Sequence, residues 1–266
     1  MIQIQKKGGE SMPNHVTNII ELECSRERSK EIMEFLRADG QDYGSVDFNK
    51  LIPMPESLNI TSGSETDRGI EIYLTAVNPN TKDYGLEKMS SNEFDLLVTM
   101  LNNERMFGKY DSNLSDERIA SFTKYVSFET YVQTGRTAVD NFRQYGATTW
   151  YEWCIANWGT KWNAYDCYTD DPCGGKLEFN TAWDGVPIIV QKISERFPDV
   201  LIHYGWADED IGNNTGRIDF KNGKDIWFDI PEGGSKHAFE IACDIQGYDI
   251  EELKQYSQKP RDRDAR

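Results

Sequence analysis

Apolar and polar residues alternate from His15 to Glu23, with Val16, Ile20 and Leu22 at even spacing, which predicts a half-buried strand. Ser25 then caps a helix running to about Ala38, with Glu27 near its start and Ile32, Met33, Phe35 and Leu36 on its apolar side. Ser45 to Ile52 is predicted as a second strand, closed by Pro53-Met54-Pro55. Beyond Glu56 the pattern changes. Asn59 to Gly69 reads as a polar loop, and Ile70 to Ala76 stays ambiguous between helix and strand. Helices are predicted for Ser91–Asn102, capped by Ser91, from Ser115-Asp116-Glu117 through Tyr125, and from Phe128 to Tyr145.

Four of the seven tryptophans fall between Trp150 and Trp162. Thr148 or Thr149 can cap a helix here, on which Trp150, Trp153, Cys154 and Trp158 form one continuous stripe before Gly159 stops it. That stripe is expected to be buried and to join the preceding helical block to the strands that follow. Lys176–Trp183 alternates strictly and predicts a strand. Pro187 opens a helix to Arg196, and Val200–Trp206 is the next strand. Gly216–Phe220 and Asp225–Phe228 make a hairpin turning at Asn222-Gly223. Short helices are expected at Ser235–Asp244 and Ile250–Gln255.

Two strand–helix–strand patterns therefore flank a helical block. The fold class this predicts is α+β: a ferredoxin-like antiparallel sheet of split βαβ type, with a large, mainly helical insertion and an extra C-terminal hairpin. The expected boundaries are a single α+β domain over 12–258, its insertion at 56–147, and a charged tail at 259–266. The stretch 1–11 is expected to be a leader or a flexible tail, with translation starting at Met12. The codons for Lys7-Gly8-Gly9-Glu10 can hold a bacterial ribosome-binding sequence at the usual distance from Met12.

Charge narrows the function classes. The 45 acidic against 29 basic residues give a net charge of −16. That disfavours direct nucleic-acid binding, which needs clustered Lys and Arg, and is compatible with a basic protein partner or with mere solubility. Five cysteines without a CxxC pair point to a reducing compartment. No apolar run reaches the roughly 18 residues of a membrane span, and the expected location is the bacterial cytoplasm.

Few residues offer chemistry. His15 and His203 with Asp208 could ligate a metal, but no third ligand has motif spacing, so structural histidines and no metal are expected. Asp208, Glu209 and Asp210 form an acidic triplet at a strand end, either paired carboxylates for acid–base work or cation binding, or a solvated turn running into Gly212-Asn213-Asn214. Cys154 lies on the predicted buried face, and Cys167 and Cys173 flank a turn without a histidine motif, so thiol catalysis is not expected. Gly174-Gly175 and Gly233-Gly234 lack the Lys-Ser/Thr of a phosphate loop. Lys161, Trp162 and Asn163 lie just past the Trp helix, where they either face solvent beside aromatic surface, as a binding site would, or close the helix and its turn. No catalytic residue, metal or cofactor is assigned.

Four words stand out in order: Met12-Pro13-Asn14-His15-Val16-Thr17-Asn18, Asn157-Trp158-Gly159-Thr160-Lys161-Trp162-Asn163-Ala164, Phe179-Asn180-Thr181-Ala182-Trp183 and Tyr204-Gly205-Trp206-Ala207-Asp208-Glu209. Together they resemble the YubB-like proteins of phages and plasmids, departing from them at Asp184-Gly185-Val186 and at Asp210-Ile211. The resemblance implies a ferredoxin-like fold and a mobile-element origin, not a reaction. With no catalytic constellation, the expected function is a non-catalytic accessory protein that binds a host or rival protein, in concrete form an acidic inhibitor of a defence nuclease such as a CRISPR or restriction effector. The alternative is a small-ligand binder or enzyme with a pocket beside the Trp-rich segment and Asp208/Glu209. The oligomeric state stays open.

Overall fold

The computed structural model describes residues 14–103 and 114–250. The leader, Met12, the charged tail and all but the first residue of the helix expected at Ile250–Gln255 lie outside the described residues. In chain order the first elements are β1 (His15–Glu23), α1 (Arg26–Leu36), α2 (Ser64–Val77), α3 (Ser91–Asn103), α4 (Asp116–Phe122), α5 (Phe128–Tyr145) and α6 (Trp150–Trp158). There follow β2 (Tyr165–Tyr168), β3 (Lys176–Ala182), α7 (Pro187–Arg196), β4 (Leu201–Asp208), β5 (Thr215–Lys221), β6 (Lys224–Asp229) and α8 (Lys236–Gln246). The chain divides into two compact units, one from Met54 to Trp153 and the other from the flanking segments, so the division falls inside α6.

The flanking segments build one sheet in the order β2-β3-β1-β4-β5-β6, with every neighbouring pair antiparallel. Its β4-β1-β3-β2 part is the ferredoxin-like arrangement, and β5 and β6 extend it as the expected hairpin. That hairpin turns at Asn222 (φ 51°) and Gly223 (φ 72°), the two left-handed residues a tight turn needs. Alternation sends Val16, Asn18, Ile20 and Leu22 of β1 into one layer, where Phe179, Ile202 and Tyr204 are also buried. Phe35 of α1 and Phe197 just past α7 meet edge to face, with ring centres 5.5 Å apart. On the opposite face Ile241, Ala242 and Ile245 of α8 pack with Ala207 and Ile19.

The second strand of the ferredoxin plan is not where the pattern put it. Ser45–Ile52 forms no strand. Its Val46 and Phe48 are buried in alternation, but Asp47 accepts from the Asn49 amide and closes a 3-10 turn over Phe48–Lys50. The Phe48 amide donates to Asn163 Oδ1 at 2.9 Å, so these backbone groups are satisfied without a ladder. The missing strand is β2, whose sequence Tyr-Asp-Cys-Tyr carries no apolar alternation and whose register with β3 is broken. The helical block therefore enters between α1 and β2, not after the second strand.

In the Met54–Trp153 unit, Ile70, Tyr73, Leu74 and Val77 of α2 share a core with Phe94, Leu97 and Leu101 of α3 and Ala138, Val139 and Phe142 of α5. The predicted insertion, 56–147, falls within this unit. The helices α2 and α5 approach so closely at Gly69 and Gly135 that a Cβ on Gly135 would lie 2.0 Å from the Gly69 carbonyl oxygen. Three boundaries differ from expectation. The helix α2 starts at Ser64, inside the predicted loop; Ser90, not Ser91, accepts from the Glu93 amide at the head of α3; and α4 ends at Phe122. Thr149 and Glu152 form a reciprocal cap on α6, the hydroxyl accepting from the Tyr151 amide and the carboxylate from the Thr149 amide. Trp153, Cys154 and Trp158 are buried as the stripe predicts, and Trp150 is half-buried. No described helix is long and apolar enough to cross a membrane.

Candidate functional site: the aromatic and acidic end of the sheet

The start of β1 and the ends of β3 and β4 lie side by side, because His15 pairs with Ala182 and Val16 with Asp208. The four sequence words meet at this end through hydrogen bonds. Thr160 Oγ1 donates to the Ala182 carbonyl at 2.8 Å, and the Trp183 amide donates to the Asn14 carbonyl at 3.0 Å. Below the surface, Tyr204 donates its hydroxyl to Asn18 Oδ1 at 2.7 Å and accepts from the Val186 amide at 2.6 Å. Asn18 in turn donates to Thr181 Oγ1 at 2.8 Å. Complete burial holds the Tyr204 phenol well above its ordinary pKa, so it stays a neutral hydroxyl at this junction.

The acidic triplet is split by the sheet. Asp208 continues β4 inward and is 4% exposed; its carboxylate accepts from Asn14 Nδ2 at 3.0 Å, the Asp210 amide at 2.8 Å and Asn214 Nδ2 at 3.4 Å. It is a buried acceptor that ties three segments together. Glu209 and Asp210 are exposed beside it, and Asp210 closes the turn by accepting from both the amide and the side chain of Asn213. The solvated-turn reading fits Asp210, and the triplet is not a paired acid–base device.

The second predicted cluster also divides. Asn163 is structural: its Oδ1 accepts from the Phe48 and Ala164 amides, and its Nδ2 donates to Asp47 Oδ1 at 2.8 Å. Lys161 is 8% exposed, not solvent-facing, and its ammonium sits 4.0 Å from the centre of the Trp162 ring. Trp162 alone of the three presents a large surface, at 37% exposure.

Sequence reasoning passed over the most unusual residue here. Trp183 is 41% exposed and adopts φ 74°, a left-handed backbone that a bulky L-residue takes up only under constraint. Asn214 (φ 41°) fixes it from below: its amide nitrogen donates to the Trp183 carbonyl at 3.1 Å, while its Oδ1 accepts from Trp206 Nε1 at 3.2 Å. The signal available was the last letter of the Phe179–Trp183 word, where strand alternation ends. Around it stand carboxylates. Burial, together with Asp208 and against the pull of the Gly185 amide and Asn214, raises the Asp184 carboxyl above its ordinary pKa. Nearby, exposed His15 Nδ1 and the Tyr165 hydroxyl are 2.6 Å apart, and burial, aided by Asp166 and Glu209, pushes the Tyr165 phenol up to about 12.

His15 and His203 are not brought together. His203 pairs with Glu21, six residues along β1 from His15, roughly 20 Å at the strand rise. It faces Asp219 at 2.8 Å instead. Among the described residues no group of His, Cys, Asp or Glu could hold a metal ion. Burial pushes the Cys154 thiol up to about 12 and that of Cys167 upward, which keeps both sulfurs protonated. A depression of about 350 Å³ does lie beside the Trp-rich segment, lined by Tyr43, Asn163, Tyr165 and Cys167 among others, but Asp208 and Glu209 are not in its walls.

Comparison with known proteins bears on the C-terminal part of the chain. Residues 161–252 match a family model described as a ferredoxin-like domain in Api92-like protein. This stretch is ferredoxin-like. It takes in β2 to β6, α7 and α8, and leaves out β1, α1 and the helical block. A crystal structure of the protein api92 from Yersinia pseudotuberculosis is loosely similar, at 9% identity and a TM-score of 0.38, covering 84% of this chain and 100% of that one. No curated protein matches the chain.

Proposed function

We propose that the chain is a non-catalytic accessory protein of a phage, prophage or plasmid, akin to the YubB-like proteins its sequence words resemble. In this reading it works in the bacterial cytoplasm by docking a host or rival protein with the aromatic and acidic end of its sheet. The concrete form is an inhibitor of a defence nuclease. One observation carries the reading: an exposed Trp183 indole on a backbone held at φ 74°, at the end of the sheet that also exposes Asp184, Glu209 and Asp210. An exposed indole offers an interface anchor, and a carboxylate rim complements the Lys/Arg groove of a nucleic-acid enzyme. The net charge of −16 steers the encounter in the same direction.

Affinity capture from a bacterial lysate with the intact chain tests this. A stoichiometric nuclease partner is expected, retained by the wild type and released by Trp183→Gly and by the pair Glu209→Lys/Asp210→Lys. A retained metabolite with no protein partner would overturn the reading and favour the small-ligand alternative.

A further inference from the structure

The helix α8 covers only part of the sheet's second face. Its Ile241, Ala242 and Ile245 pack with Ala207 and Ile19, and at Gly205 a Cβ would stand 3.1 Å from Ile245 Cδ1. Two residues further along the strands, roughly 7 Å away, runs an uncovered row of polar side chains. Lys176 pairs with Glu21, Glu21 with His203, His203 with Asp219 and Asp219 with Trp227, across β3, β1, β4, β5 and β6. The bulge in β6, whose extra residue is Ile226, comes between Trp227 and Asp225, so Trp227 keeps its place opposite Asp219. Between this row and Asp244 and Ile245 of α8 lies a cavity of about 470 Å³, within the range of small-molecule sites.

The lining offers spare donors as well as acceptors. The Lys176 ammonium reaches Glu21 only at 4.0 Å, beyond hydrogen-bond distance. Arg217 engages Asp244 through one nitrogen, which leaves further donors on its fork. His203 holds Asp219 at 2.8 Å through Nδ1, while its Nε2 has the exposed Glu23 carboxylate at 3.5 Å. Burial alone would lower the His203 pKa, but Asp219 and Glu23 together raise it above the ordinary value, which favours a donor at both nitrogens. Three cations therefore meet three carboxylates, Glu21, Asp219 and Asp244, in a chain whose net charge is −16. At one end of the row stands the Trp227 indole, 49% exposed. A ligand matched to this lining has a planar ring, hydroxyls that donate and an anionic group that accepts. A nucleoside monophosphate has all three.

We propose that this cavity binds a nucleoside monophosphate, with the base stacked on Trp227, the ribose hydroxyls donating to Asp219 and Glu21, and the phosphate accepting from His203 and Lys176. Trp227 and His203 are two strands apart, about 10 Å, a span that the length of the molecule covers. The even balance of charge in the lining selects against a triphosphate, and the net charge of −16 against a nucleic-acid strand. The cavity is separate from the docking end of the sheet, since His203 lies five residues from Asp208 on β4, roughly 17 Å at the strand rise.

Ligand-detected NMR titration of the full chain with AMP, GMP, CMP and UMP tests this. At least one is expected to bind with a Kd below about 1 mM, and its nucleoside and inorganic phosphate each about tenfold more weakly. Trp227→Ala and Lys176→Glu are each expected to weaken that binding about tenfold. Both side chains are exposed, so these variants keep the wild-type circular dichroism spectrum. Trp183→Gly is expected to bind the nucleotide as the wild type does, whatever becomes of partner capture. Three results overturn the proposal. They are no binding of any of the four at about 1 mM, wild-type affinity in either cavity variant, or tighter binding of the matching triphosphate or of an oligonucleotide of about ten residues.

Discussion

Thr160 and Ala182 exchange two hydrogen bonds through a single hydroxyl: Thr160 Oγ1 donates to the Ala182 carbonyl at 2.8 Å and accepts from its amide at 3.1 Å. The side chain thus does for the end of β3 what a neighbouring strand would do. Both backbone groups are buried, so Thr160→Val leaves an N–H and a C=O unsatisfied while keeping the shape. The expected loss is about 1–3 kcal/mol in urea unfolding, and Thr160→Ser, which keeps the hydroxyl, loses less. Equal losses for the two variants would contradict this role.

Substitution of Gly135 tests the helical unit alone. An alanine there gains about 0.5–1 kcal/mol of helix propensity. It also drives a methyl to 2.0 Å from the Gly69 carbonyl oxygen and 2.7 Å from Tyr73 Cβ, so α2 and α5 must separate. The clash outweighs the propensity, and a net destabilisation of about 3 kcal/mol is expected. A stabilised Gly135→Ala would mean the helices are not this close.

The pH dependence of the same unit follows from Asp67, whose carboxyl burial, then Glu152 and Glu71, push up to about 6 from 3.8. The native state favours the protonated form. Its contribution is therefore fully present below about pH 4 and lost as pH rises through 6. Asp67→Asn cannot ionise and escapes that loss. At pH 7.5 the variant is expected to exceed the wild type by about 1–3 kcal/mol, with the difference vanishing at pH 4. A difference unchanged between the two pH values would rule the assignment out.

At the candidate site, Trp183→Gly separates stability from binding. Glycine adopts φ 74° freely and keeps the amide bonded to Asn14, so the fold is expected to gain about 1 kcal/mol. Partner capture is expected to fall with the loss of the indole. A variant that both unfolds more easily and binds normally would show that the indole serves the core.

What the sequence made legible depended on where the satisfying partner lay. The strands β1, β3 and β4 and the β5–β6 hairpin carry alternation and turn residues within a few positions, and all were readable. The strand β2 was not, because Tyr165–Tyr168 takes its identity from β3 and not from its own pattern. Ser45–Ile52 misled for the converse reason: Val46 and Phe48 alternate inward, while the hydrogen bonds go to Asp47 and Asn163. Ser64 to Asp67 read as loop because Ser, Thr and Asp compete for the backbone, yet they open α2. The site followed the same rule. The acidic triplet at a strand end was visible, but the inward turn of Asp208 rests on Asn14, 194 residues away.

The late position of β2, β3 and β4 also sets an order of events on the ribosome. Both neighbours of β1 come from far downstream, β3 at Lys176–Ala182 and β4 at Leu201–Asp208, while the core of the Met54–Trp153 unit is drawn from its own residues. From Glu23 to Asp208 is 185 residues, on the order of ten seconds or more of synthesis at about 5–20 residues per second. Until β3 is made β1 has two open edges and an apolar face, one edge stays open until β4 follows, and the helical unit can already be complete. Nascent chains are therefore most exposed to aggregation at their first strand, and that is where a chaperone would find them.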